Sequence, residues 1–301
     1  MEEFKSGFVS IIGRTNVGKS TLLNSLIKEK VVITANKPQT TRTAIRAIAN
    51  RENSQIIFID TPGIHKPKNK LSETMVDTAF SVLKDVDVVL FMIEATSKEV
   101  GKGDQYILEK LKEINKKVIL IINKIDLIEK EKLLNLIEKY KETYPFSAVI
   151  PVEATKPKYS DLVLDEIEKL LKSGPRFYEE DEYTDQTLRQ MAEEKIREKA
   201  LRLLDEEVPH GIYVEVTKFK DRKTTKKEDI YDIDAIIYCK RESHKGIIIG
   251  KGGQMLKKIG QYSRQDLEKI CGMKVNLKLW VKVDSKWDEN TQILKKFKYT
   301  N

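Results

Sequence analysis

The run Gly13-Arg14-Thr15-Asn16-Val17-Gly18-Lys19-Ser20 constrains this chain more than any other feature. It fits the pattern G-x-x-x-x-G-K-[ST], follows the apolar stretch Phe8–Ile12 and opens the amphipathic stretch Thr21–Ile27. A strand that turns through such a loop into a helix is the setting in which backbone N–H groups curl around phosphates and the helix N-terminus adds a favourable dipole. In that setting residues 13–21 form a phosphate site. Lys19 neutralises the β- and γ-phosphates of a nucleotide, and the Ser20 hydroxyl is a ligand for Mg²⁺.

Residues 4–172 keep alternating short apolar runs with helical spacing. Phe8–Ile12, Ile56–Ile59, Val86–Ile93, Val118–Ile122 and Val149–Val152 read as strands buried on both faces. Leu133, Leu134, Ile137 and Tyr140 are spaced as on a helix, residues 157–159 read as loop, and Leu162–Leu171 reads as a closing helix. This predicts an α/β domain with a mostly parallel sheet covered by helices. Two more motifs stand at strand ends, where open α/β sheets bind ligands. In Asp60-Thr61-Pro62-Gly63 the Asp60 carboxylate can hold a metal-bound water and the Gly63 amide can sense a γ-phosphate. In Asn123-Lys124-Ile125-Asp126 the Asp126 carboxylate can accept from both guanine N1–H and the 2-amino group. Adenine offers no such donor pair, so this residue selects GTP over ATP. Lys124 can pack over the base.

These motifs, in this order, resemble the GTPases of the translation-factor-related class over residues 4–172. The resemblance implies further roles. Thr41, in Gln39-Thr40-Thr41-Arg42, matches the switch threonine that ligates Mg²⁺ in the GTP state, with Thr40 as the neighbouring alternative. Glu153-Ala154-Thr155 stands where a base-contacting Ser-Ala-x loop belongs, with the Ala154 amide directed at the guanine oxygen. Lys19, Thr41, Asp60 and Gly63 are then the catalytic group. Ile64 follows Gly63 where Ras-like enzymes carry a water-positioning Gln, and an apolar side chain cannot orient water. Related bacterial GTPases with an Asn inside the P-loop use it to help bind K⁺, and Asn16 holds that position.

A break at Ser173-Gly174-Pro175 and the acidic run Glu179–Glu182 mark a linker, residues 173–184, between a domain at 1–172 and one at 185–301. A helix is expected from Asp185 to Asp205, strands at Gly211–Phe219 and Ile230–Cys239, and a helix at Gln254–Ile270. Val275, Leu277, Leu279, Val281 and Val283 alternate as on a last strand. The order α-β-β-α-α-β is an α+β arrangement with helices on one face. Ile249-Gly250-Lys251-Gly252-Gly253 precedes the Gln254 helix, and Lys257 and Lys258 follow within two turns. A GxxG loop of this kind removes side chains where a nucleic-acid backbone approaches. Charge points the same way. The chain has 55 Lys/Arg against 47 Asp/Glu, and from Lys240 to Asn301 15 basic side chains face six acidic ones. Trp280 falls on the other side of its strand from the apolar set and is expected to be partly covered by neighbouring structure.

This element order around a GxxG loop is that of the type II KH fold. A P-loop GTPase with Asn in its loop, joined by a short acidic linker to such a domain, resembles the Era family of bacterial GTPases over essentially the whole chain. Glu206-Glu207-Val208-Pro209-His210 and Leu279-Trp280-Val281-Lys282-Val283 fit that family too. The resemblance implies a GTP hydrolase with Mg²⁺, stimulated by K⁺. It also implies binding of 16S rRNA near its 3′ end, a role in 30S subunit assembly and rRNA maturation, and a monomer in the cytoplasm with peripheral association at the inner membrane face. A slow, nucleotide-locked clamp on RNA, and a GTPase acting on another RNA or at a membrane surface, stand as alternatives. No apolar run approaches the ~20 residues of a membrane span. Two cysteines, Cys239 and Cys271, make no disulfide framework.

Overall fold

The structure, a computed structural model, describes residues 3–35, 37, 40–67, 69–97, 99–205, 208–223, 225 and 228–296. Gln39, Glu206 and Glu207 lie outside the described residues. Two compact units divide the described chain: residues 3–32, 41–185 and 294–296 form the first, and 33–40 with 186–293 the second.

In the first unit the strands are β1 (Lys5–Ile12), β2 (Ile45–Asn50), β3 (Ser54–Asp60), β4 (Val88–Glu94), β5 (Lys117–Asn123), β6 (Ala148–Pro151) and the short β7 (Lys172–Ser173). Their order is β2-β3-β1-β4-β5-β6, with β7 beside β1. β1, β3, β4, β5 and β6 run parallel, while β2 is antiparallel to β3 and β7 to β1. Alternate residues of the central strands feed two separate cores. Val88, Leu90 and Met92 of β4 join Ile119 and Ile121 of β5 on one face. Val89, Phe91 and Ile93 join Val118, Leu120 and Ile122 on the other. That is why these strands read as unbroken apolar runs. Helices α1 (Lys19–Ile27), α2 (Lys70–Val82), α3 (Lys102–Lys112), α4 (Lys130–Lys141) and α5 (Lys158–Leu170) cover the sheet. The loop expected at 157–159 is shorter, because α5 begins at Lys158.

Sequence reasoning missed β2. Its burial runs BeBBBi, so Arg46 interrupts an otherwise apolar edge strand built partly from Ala47 and Ala49. The acidic linker also differs from a free tether. Its side chains are mostly exposed, but its backbone is held. Gln55 accepts from the Phe177 and Tyr178 amides at 2.7 and 3.0 Å and donates to the Tyr178 carbonyl at 2.8 Å. Asn50 donates to the Glu180 carbonyl at 3.0 Å, and Thr184 Oγ1 donates to the Arg46 carbonyl at 2.8 Å.

The second unit runs α6 (Leu188–Leu203), β8 (Ile212–Lys223), β9 (Asp229–Cys239), α7 (Glu242–Ile249), α8 (Gln254–Cys271) and β10 (Lys274–Val283). The expected order α-β-β-α-α-β is the observed one. The sheet order is β10-β9-β8, with β10 parallel and β8 antiparallel to β9. Thr187 starts α6 in a reciprocal cap with Gln190, so the helix begins three residues later than expected. β8 extends past the expected Phe219 as a long hairpin with β9. Ala192, Ile196 and Ala200 of α6, Ile248 of α7, and Ile259 and Leu267 of α8 pack on Val214, Ile233, Ile237 and Val275 of one sheet face. Trp280 is partly covered, as expected, with 46% of its surface exposed. Its strand turns it to the sheet face that carries no helix.

Candidate nucleotide site and nucleic-acid groove

In the first unit all three motifs arrive at the carboxyl ends of adjacent parallel strands. Between β1 and α1, Lys19 is buried, and its ammonium donates to the Gly13 carbonyl at 3.1 Å and the Arg14 carbonyl at 2.8 Å. Burial holds it down to about 8, against the pull of Asp60. An anion in the loop would stabilise the charged form and raise it again. Gly18 caps α1 at φ 107°, and a side chain there would meet Asn123 Nδ2 at 2.3 Å, so only glycine fits. Asn16 is also left-handed, at φ 65°, and its carbonyl accepts from Lys124 Nζ at 3.1 Å.

Three hydroxyl and carboxylate oxygens meet beside the loop. Ser20 Oγ lies 3.0 Å from Thr41 Oγ1 and donates to Asp60 Oδ2 at 3.2 Å, and Thr41 Oγ1 donates to the same oxygen at 2.9 Å. Asp60 is fully buried, and its Oδ1 has no partner among the described residues. Burial lifts its carboxyl to about 6 despite Lys19 and the two hydroxyls. The 3.0 Å between Ser20 Oγ and Thr41 Oγ1 matches the ~2.9 Å edge of an octahedron with Mg–O bonds of ~2.05 Å, Asp60 stands beside them to hold a metal-bound water, and the donors are the hard oxygens Mg²⁺ prefers. The residues present therefore fit the ion. Of the two neighbouring threonines, Thr41 joins this cluster, whereas Thr40 Oγ1 donates to the Lys37 carbonyl at 2.6 Å.

Thr61 Oγ1 donates to the Ile11 carbonyl at 2.7 Å, and the Ile64 amide donates to the Gly13 carbonyl at 3.1 Å. These bonds dock the Asp60–Gly63 turn against the P-loop. Ile64 is buried in the hydrophobic core and faces no water. Asn123 ties the base side together. It donates to the Val17 carbonyl at 2.8 Å and accepts from the Ala154 amide at 2.9 Å. Asp126 is exposed and has no partner among the described residues, so its carboxylate is open to a base. Sequence reasoning missed the charged brace behind the site. Glu94 accepts from Lys124 at 2.7 Å and lies 3.8 Å from Arg14, and Arg14 donates to the buried Asp104 at 3.2 Å. These partners come from three strand ends and from α3, so no local spacing reveals them.

In the second unit α7 ends at Gly250 and α8 starts at Gln254. Gly250, Gly252 and Gly253 have φ of 73°, 59° and 79°. A side chain at Gly250 would strike Met255 at 2.7 Å, while Gly252 and Gly253 face open space. Lys251, Lys257 and Lys258 are exposed around this turn, and Ile249 is half-buried just before it. Beside the loop a groove of about 490 Å³ runs between α8 and β10, lined by Gly253, Leu256, Lys257, Gly260, Gln261, Arg264, Leu277 and Leu279. Gly260, Gln261, Arg264 and the three leucines were missed as site residues by sequence reasoning. The signal was there: 253, 257, 260 and 264 recur at helical spacing on one face of α8.

The family described as "50S ribosome-binding GTPase" matches residues 8–124, and the KH domain family matches residues 207–288. A GTPase Era of Thermoanaerobacter sp. (strain X514) is 54% identical over 295 residues, covering 98% of this chain and 96% of that one. The chain belongs to the Era family of GTPases. The fold agrees across both units. An Era solved with MgGDPNP and nucleotides 1506–1542 of 16S ribosomal RNA superposes with a TM-score of 0.94 at 41% identity, over 99% of this chain and 100% of that one. A point variant of Aquifex aeolicus Era, bound to GDP·AlF4⁻, matches with a TM-score of 0.94 at 40% identity, over 99% and 100%. As a member of this family the chain is a GTP hydrolase built from a P-loop GTPase domain and a KH domain.

Among the described residues no helix is long and apolar enough to cross a membrane.

Proposed function

We propose that the site at the end of β1 binds GTP with Mg²⁺ and hydrolyses it to GDP, and that the α8–β10 groove binds 16S rRNA near its 3′ end in the service of 30S subunit assembly and rRNA maturation. The observation that carries the first part is the convergence of Ser20, Thr41 and Asp60 beside the buried Lys19. Support for the second is the solved relative that holds nucleotides 1506–1542 of that RNA. Residues 1–172 act as the GTPase domain, 173–184 as linker and 185–301 as the RNA-binding domain, in a monomer of the cytoplasm with peripheral contact at the inner membrane face.

Within the nucleotide site the amides of residues 13–21 cradle the phosphates. Lys19 exchanges its two carbonyl partners for phosphate oxygens. Ser20 and Thr41 hold Mg²⁺ directly and Asp60 holds it through water, with the unpartnered Oδ1 available for that contact. The ion bridges phosphate oxygens and offsets charge that develops on them. Thr61 and Pro62 hold the turn that presents the Gly63 amide toward the γ-phosphate. Asp126 selects guanine and Lys124 covers the base. The Ala154 amide is taken by Asn123, so Ala154 positions the base loop while Asp126 carries recognition. Asn16 would hold K⁺, which when bound would supply the positive charge that an arginine finger supplies elsewhere, a role worth ~10³–10⁵ in rate. In the groove Ile249, Lys251, Lys257 and Lys258 flank the strand, and Gly250, Gly252 and Gly253 admit its backbone.

The burial of Ile64 favours a second reading, a clamp that holds nucleotide and turns over slowly. Steady-state GTP hydrolysis in KCl and in NaCl, with Lys19→Ala as control, separates the two. Faster turnover in KCl that vanishes in the variant supports the switch. Equal turnover in both salts removes the K⁺ assignment and leaves the slow clamp.

A further inference from the structure

The chain has two tryptophans, and they lie in opposite environments. Trp287 is fully buried and donates its indole N–H to the Gly211 carbonyl at 3.1 Å. Trp280 stands 46% exposed on β10, an edge strand of the three-stranded sheet. Lys278 and Lys282, two residues to either side, point to the same face because side chains alternate along a strand. Leu277 and Leu279 point to the other face and line the groove. The helix-free face is basic well beyond β10. Register places Lys278 beside Asp234, which stands opposite Lys218 of β8, and Lys220 opposite Asp232. Arg222 completes the β8 row on that face.

The acidic groups on this face are few and mostly engaged. Asp232 accepts from Arg222 at 2.7 Å and from Asn276 at 2.8 Å, and lies 3.7 Å from Lys218. Glu215 accepts from the Tyr238 hydroxyl at 3.1 Å. Asp234 is the third, and Asp284, just past β10, accepts from the Tyr213 hydroxyl at 3.3 Å. Lys220, Lys278 and Lys282 have no ion-pair partner among the described residues. An open indole between two unpaired lysines has the chemistry of a base-stacking platform with phosphate-neutralising arms.

We propose that the helix-free face of this sheet, centred on Trp280 with Lys278 and Lys282, is a second contact for single-stranded RNA. It receives nucleotides that leave the α8–β10 groove across the exposed edge of β10. The two faces share one strand, so adjacent residues serve the groove and the platform alternately. A base stacks on the indole and the lysines sit beside the flanking phosphates. The face reads no sequence, since every base has a stacking surface. It lengthens the footprint that the GxxG loop begins. The inference rests on the reading of the groove as an RNA site.

The test compares two RNAs on the full chain: one copying nucleotides 1506–1542 of 16S rRNA, and a tetranucleotide from its 3′ region, short enough for the groove alone. Trp280→Ala is expected to weaken the long RNA about tenfold, to leave the tetranucleotide and RNA-free GTP turnover unchanged, and to be largely rescued by Trp280→Phe. Lys278→Gln with Lys282→Gln is expected to lower the salt slope of long-RNA binding by about 1.4. Unchanged long-RNA affinity in Trp280→Ala would overturn the proposal. So would equal weakening of both RNAs, because the indole would then be acting through the groove. The groove reading fails separately, if Gly252→Asp with Gly253→Asp leaves the tetranucleotide bound as before.

Discussion

The two candidate sites of this molecule are built on opposite plans, although both take phosphate-bearing partners. In the first unit the deciding groups are buried: Lys19, Thr41 and Asp60 each lie below a tenth exposed. Lys19 leans on two backbone carbonyls and Thr41 on Asp60 while waiting for a ligand, and the cost of that burial is visible in a lysine pushed down to about 8 and a carboxyl lifted to about 6. In the second unit the charges around the GxxG loop are exposed and share their work with open glycines. Buried charges act strongly and at short range, whereas exposed ones act weakly, additively and subject to salt. Recognition of one small nucleotide suits the first plan, and a grip on a flexible polyanion suits the second.

The largest expected effect breaks the buried plan. Lys19→Ala should weaken GTP binding by about 10²–10³-fold, because a desolvated charge pair is lost at its centre. Nucleotide titration with a fluorescent GTP analogue reads this, and binding within a factor of a few of the parent would show that the loop does not work through Lys19. Gly252→Asp with Gly253→Asp should weaken RNA about a hundredfold by placing negative charge where phosphates approach, while RNA-free GTP hydrolysis survives. Both positions face open space, but at φ of 59° and 79° an Asp is strained, so the fold is expected to persist with reduced stability. Circular dichroism on the same sample checks that.

Smaller effects sharpen the comparison. A cation at Asp60 competes with the proton that burial favours, so Mg²⁺ affinity should be level above about pH 6 and fall ~tenfold per unit below it. Isothermal titration between pH 5 and 8 measures the slope, and Asp60→Asn should abolish it. The second unit has a half-buried carboxyl of its own, with Arg189 as the cation acting on it. Glu193, packed in α6 against the Val216 amide, is raised from 4.5 to about 7 by burial. The folded chain keeps a proton there that the unfolded chain releases. Its stability contribution is therefore complete below about pH 4.5 and is lost as pH rises through 7. Glu193→Gln should flatten that dependence and stabilise the chain at pH 8 by ~2 kcal/mol in denaturant unfolding. A variant no more stable than the parent at pH 8 would show that Glu193 ionises without penalty.

The sequence carried much of the first unit because its motifs are local. Residues 13–20, 60–63 and 123–126 each sit directly after an apolar run, and strands buried on both faces leave no ambiguity of side. β2 escaped because an edge strand with Arg46 between Ile45 and Ala47 lacks both an apolar run and a clean alternation. The anchoring of the linker escaped because Asn50 and Gln55 hold its backbone, which leaves its acidic side chains in water and its composition tether-like. The Arg14–Glu94–Lys124 brace joins residues far apart in sequence, which only the sheet order brings together. In the second unit the apolar stripe of α8 was legible, but its groove-lining face, with Gln261 and Arg264, mixes residue types and becomes a site only when β10 is set beside it.

The contrast between the two plans is tested most directly by one titration series. GDP binding in the presence of Mg²⁺, and binding of the RNA copying nucleotides 1506–1542, would be measured on the same protein from 50 to 500 mM NaCl. The account predicts a nearly flat response for GDP and an RNA affinity that falls linearly in log–log form, with a slope of about −0.7 for each phosphate neutralised. Equal slopes for the two ligands, or an RNA affinity indifferent to salt, would contradict it.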